Sequence, residues 1–265
     1  MKLPSEAGRA DGWRLLCLGL LFVIHLPTPK VWAQPAEENL NALLRRMDKL
    51  WVERDKSEAL HDLVTLGLLA LTIPGDDYDA MWRTARAQFW LAHTQPNRLV
   101  KKALAAKAAV LAERAMALRP DRVEGYYVSA VAVGEYATTI GVMKALTEGV
   151  AAKIEGAALK AYEVDRDFDS GAPMIVLGRY YYSLPWPKRD LERSRRFLEE
   201  LRMRHPDSRI GRWYLAETYH ATGENEKARA EIDFVLQRSS KGLASGTDDP
   251  TDPAREALQH WFGTG

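Results

Sequence analysis

Apolar residues return every three or four positions through most of the chain, the spacing of helices that bury one face. Over 37–52, Leu40, Leu43, Leu44, Met47, Leu50 and Trp51 keep that interval, and after ERDKS it resumes with Ala59, Leu63 and Leu66 until Pro74-Gly75 ends the pair. Asp76-Asp77 offers an N-cap to a helix carrying Met81, Trp82, Ala85, Phe89 and Trp90. A loop over 93–97, read as longer than a tight turn, leads to a second helix with Ala108, Ala112 and Ala115 that stops at Pro120.

Three more pairs follow. Tyr126, Ser129, Ala130 and Val133 share a face in the third, whose closing helix is IEGAALKAYEVD. Between them Ile140, Met143, Leu146 and Val150 keep helical spacing past Gly134, Gly141 and Gly149, so both helices of this central hairpin are expected to be extended. The fourth pair is FDSGAPMIVLGRYYYSLPWP with DLERSRRFLEELRMRHP. In the fifth, Leu215, Ala216 and Tyr219 mark one helix, Gly223 breaks it, and Ala228, Ile232 and Val235 mark the next.

Paired helices that turn at glycines and close small residues against aromatics resemble the tetratricopeptide repeat, with Leu177-Gly178 and Tyr181 on its Leu-Gly-x-x-Tyr signature. One such hairpin cannot cover both its apolar faces, so neighbours must stack on it. The fold expected is all-α, a tetratricopeptide-repeat-like solenoid of helical hairpins over 34–238, with an extended central hairpin. Residues 239–265 read as a flexible polar tail, with AREALQHWF as a short helix capping the last apolar face.

Composition adds limits. Of 265 residues, 37 are Lys or Arg and 36 are Asp or Glu, a balance that gives no reason to expect nucleic acid as partner. Residues 15–26 form an apolar run too short to span a bilayer comfortably. With Val31-Trp32-Ala33 before Gln34, residues 1–33 read as a cleavable signal peptide, the alternative being an uncleaved anchor, and either implies a periplasmic protein, secreted where the segment is cleaved. The single cysteine, Cys17, follows Leu16 where a lipobox wants a small residue, so no lipid anchor is expected.

One family resembles these motifs more closely than a generic repeat protein. RPDRVEGYY, the glycine-punctuated insertion containing GVMKAL, and FDSGAPMIVLGRYYYSLPWPKRDLERS look like the T-component (TatT-like) proteins of tripartite ATP-independent periplasmic (TRAP) transporters. That resemblance implies association with a periplasmic solute-binding protein, assembly into a homo-oligomer, and a cleft or pore for a hydrophobic small molecule. The alternative is a general periplasmic scaffold for an envelope complex, without a small ligand.

In stacked hairpins the first helices line the concave wall, so equivalent positions form columns. One column reads Trp51, Trp90, Gly134, Tyr182 and His220; a second reads Leu44, Arg83, Tyr127, Ile175 and Trp213; between them fall Asp48, Ala87, Val131, Arg179 and Glu217. The candidate binding residues are therefore Trp51, Trp90, Tyr127, Tyr182, Trp213, His220 and Arg179, with Arg179 and Glu217 read first as an ion pair between repeats. Core packing explains the aromatics equally well. His61, His93, His205, His220 and His260 fall in different units without metal-ligand spacing, and neither a phosphate loop nor a nucleophile elbow is present, so no catalytic residue, metal or cofactor is expected.

Overall fold

The computed structural model describes residues 40–73, 77–238 and 249–263, all within one compact unit spanning 38–265. Expectations for residues 1–33, for Asp76 as a cap and for the stretch 239–248 lie outside the described residues. Twelve α-helices and no strand occur among the described residues: α1 Leu40–Trp51, α2 Ser57–Ala70, α3 Asp77–Thr94, α4 Arg98–Leu118, α5 Val123–Ile140, α6 Val142–Thr147, α7 Val150–Val164, α8 Phe168–Ser183, α9 Leu191–Arg204, α10 Arg209–Ala221, α11 Asn225–Gln237 and α12 Thr251–Phe262.

The helices pair as α1/α2, α3/α4, α5/α7, α8/α9 and α10/α11, and the first members pack in series, α1 on α3, α3 on α5, α5 on α8, α8 on α10. Small residues set the separations. Ala105, Ala108, Ala112 and Ala115 of α4 are completely buried, and a Cβ on Gly178 would lie 2.5 Å from Leu198 Cγ, so α8 and α9 meet as closely as they do because that side chain is missing. Buried tyrosines fill what remains: the Tyr78 hydroxyl donates to Glu124 at 2.9 Å and that of Tyr219 to Glu199 at 2.7 Å. No central core forms. Five apolar clusters follow one another along the stack, the first around Leu43, Met47, Leu63 and Trp90, the last around Trp213, Ile232 and Val235 against Ala254 and Ala257 of α12.

Helix ends follow local chemistry. Asn97 Oδ1 accepts from the amides of Leu99 and Val100 at the start of α4, Asp190 caps α9, Ser208 caps α10, and Gly223 turns α10 into α11 at φ +80°. The long loop read over 93–97 is a correction: α3 runs to Thr94 and Asn97 caps α4, leaving a three-residue turn, with the extra length absorbed into helices of 18 and 21 residues. The central hairpin also differs. α5 is extended to Ile140, but Gly141 at φ +89° and Gly149 at φ +74° break the path, so six residues form the separate α6 and α7 opens at Val150.

Candidate functional site

The first helices enclose a cavity of about 1300 Å³ on the concave side. Its aromatic end is built where α1 stops and α3 passes beneath it. Trp51 and Trp90 meet edge to face at 5.9 Å, Phe89 packs on Trp90 at 6.1 Å, and the His93 ring lies 5.7 Å from Trp90. Helical spacing explains the cluster, because 86, 89, 90 and 93 fall on one face of α3.

Cations are threaded between these rings. The Arg86 guanidinium sits 3.9 Å from the Trp51 centroid and 4.7 Å from that of Trp82, and Arg54 lies 4.8 Å from Trp51 and 5.0 Å from Trp90. Burial pushes Arg86 down to about 10, against the pull of Asp48 and Asp169. Its Nε and Trp90 Nε1 are buried donors with no hydrogen-bond partner among the described residues. Beside them Glu135 of α5 takes His93 Nδ1 at 3.0 Å and Lys101 Nζ at 2.9 Å.

The middle is apolar, with Val131 and Ala130 of α5, Ile154 of α7, and Ile175 and Val176 of α8. The far wall starts at a left-handed turn: Asp169, Ser170 and Gly171 have φ of 45°, 60° and 86° at the head of α8. The positive φ at Gly171 favours glycine, a Cβ there would press on Leu201 Cδ1 at 2.4 Å, and the turn sets Asp169 and Ser170 in the cavity wall. Tyr127 joins this wall, its ring 5.5 Å from that of Phe168. Arg179 closes it, donating to Glu217 of α10 at 2.7 Å and lying 4.7 Å over the Tyr214 ring. Burial pushes the Glu217 carboxyl up, outweighing Arg179.

Of the seven residues chosen from the sequence, the structure brings Trp51, Trp90, Tyr127 and Arg179 to this cavity. The other three lie elsewhere. Tyr182 faces Arg189, 4.5 Å from its guanidinium, while Trp213 and His220 are covered by α12, stacked on Trp261 at 5.9 and 4.1 Å. The column fails there because α12 occupies the wall that α10 would otherwise present. Arg54, Arg86, Phe89, His93, Glu135 and Asp169 were missed. Arg86 and His93 stand four before and three after Trp90, so extending the column along α3 would have found them; Asp169 depends on a turn that no periodicity shows.

Comparison with known proteins agrees with this architecture. A tetratricopeptide-repeat protein of Thermus thermophilus, TTC0263, superposes with a TM-score of 0.63 over 83% of this chain and 98% of its own, at 19% identity, a likeness of fold. No curated protein matches the sequence. The family model for "Regulator of microtubule dynamics protein 1-3" matches residues 43–191, more than half of the chain and the part that builds α1 through α8 with most of the cavity wall. The chain thus belongs to the family of regulator of microtubule dynamics proteins 1-3 (RMD1-3).

Proposed function

We propose that this protein works by binding, without turnover, and that its cavity holds an apolar guest. The supporting observation is the concave cavity of about 1300 Å³ whose aromatic end, Trp51, Phe89 and Trp90, continues into Val131, Ile154 and Ile175. Largely apolar walls with a few placed charges are the usual make-up of a small-molecule site, and this volume exceeds that of most drug-sized pockets. An extended guest fits it better than a compact one. Titration with the apolar fluorophore N-phenyl-1-naphthylamine tests the reading: Trp90→Ala with Tyr127→Ala should weaken binding about tenfold, roughly 1.4 kcal/mol. Equal affinity of the folded double variant and the parent would refute it.

The finer reading follows the sequence resemblance. Export through residues 1–33 is supported by the apolar run 15–26 and Val31-Trp32-Ala33, and association with the periplasmic solute-binding protein of a TRAP-type transporter by the motifs around GVMKAL and LGRYYYSLPWP. Recovery of such a protein with this one from cell extracts is the test, and its repeated absence would leave a general scaffold as the role. The RMD1-3 family is described as regulators of microtubule dynamics, a role that binding alone would also serve.

A further inference from the structure

The hairpin topology carries the turns after α1, α3, α5 and α8 along one long edge of the stack, because alternate helices are antiparallel and the first members pack in series. Each of these turns holds a large apolar side chain out in water. Val52, Leu99, Met143 and Trp186 are 69%, 77%, 64% and 89% exposed, and Val100 and Val142 stand beside two of them. The second and third turns touch: Arg98 Nε donates to the Thr139 carbonyl at 2.7 Å and Lys102 lies over the Tyr136 ring at 5.7 Å.

Charge separates this edge from the opposite one. Counting each turn with the first five residues of the helix it enters, 52–61, 95–102, 141–154 and 184–195 carry eleven Lys and Arg against six Asp and Glu. On the returning side 77–81, 119–127, 165–172 and 205–213 carry five against eight. The whole chain differs by a single charge, so the asymmetry is a matter of placement. Lys102, Lys188 and Arg189 enter no ion pair among the described residues.

We propose that this edge docks on an anionic lipid surface, with Leu99, Met143 and Trp186 at headgroup depth and the surrounding lysines and arginines on the lipid phosphates. Single apolar side chains standing at turn tips form no cup for a protein partner, whereas a bilayer interface accepts isolated protrusions. Trp is suited to that boundary, with an apolar ring and a donor that stays wet. Basic residues beside it gain from the negative surface potential within a Debye length. No helix among the described residues is long and apolar enough to cross a membrane, so the contact is peripheral.

Full-length protein is mixed with phosphatidylcholine vesicles with and without phosphatidylglycerol, and co-sedimentation is compared among three forms that share the same N-terminal segment. Lys102→Glu with Lys188→Glu and Arg189→Glu should need about tenfold more anionic lipid than the parent, whereas Leu118→Ser with Met203→Ser, on the opposite edge, should bind like it. Bromine-labelled lipids should quench the fluorescence difference between the parent and Trp186→Phe, a signal that reports this turn alone. Unquenched Trp186 together with unchanged sedimentation of the charge variant overturns the proposal.

Discussion

Glu135 is only 8% exposed, yet it sits between His93 at 3.0 Å and Lys101 at 2.9 Å. Burial works to raise its pKa, but the hydrogen bonds with His93 and Lys101 outweigh it and hold the carboxyl below its ordinary value. An acid whose folded pKa is depressed contributes stability that is present above the unfolded pKa and fades as pH falls through the folded one. Urea unfolding of Glu135→Gln should therefore show a loss of about 1–3 kcal/mol at pH 7, the cost of leaving charged partners unsatisfied, and a smaller difference from the parent below pH 4. A loss that stays constant with pH would show that the carboxylate charge is not what matters. Nothing in the sequence marks this residue, because its role depends on α3, α4 and α5 bringing His93, Lys101 and Glu135 together. Leu177, Gly178 and Tyr181 are the opposite case: spacing within one helix encodes them, and they pack as that spacing implies.

At the scale of helices, periodicity located the hairpins but not all their breaks. Ile140, Met143, Leu146 and Val150 keep helical spacing, which reads as both helices of the central hairpin extended past the glycines at 141 and 149. The structure gives the glycines the decision, since both adopt positive φ that other residues enter only at a cost of roughly 1–2 kcal/mol. Gly149→Ala is consequently expected to lower the melting temperature by a few degrees. Were α6 continuous with α7 through Gly149, the same change would raise it by improving helix propensity. The space around Gly149 is open, so steric crowding does not confuse the outcome. The Asp169–Gly171 turn escaped notice for a related reason: FDSGAPMIVL reads as one helical segment until the backbone angles are seen.

Over the whole molecule the five apolar clusters lie in sequence, each bounded by adjacent hairpins, so stability is a sum of local terms and contacts between neighbours. Leu63→Ala, deep in the first cluster, should cost about 2–5 kcal/mol and speed amide hydrogen exchange in α1 to α4. Exchange in α10 to α12 should stay as in the parent; equal acceleration there would mean that the stack opens as one unit. Fold class was readable because every hairpin repeats the same small and large spacings. The cavity was half readable, since columns of first helices locate a wall but not the helix that covers the last of them.

That closing helix has a bearing on self-association. Arg209 Nη1 reaches Asp249 at 3.1 Å, Nη2 reaches the Val235 carbonyl at 3.3 Å, and Ala254 and Ala257 are pressed against the last hairpin. The terminal surface that a sixth repeat would have used is already taken by the chain's own residues. A second copy could stack on the last hairpin as a further repeat only if α12 first peeled away.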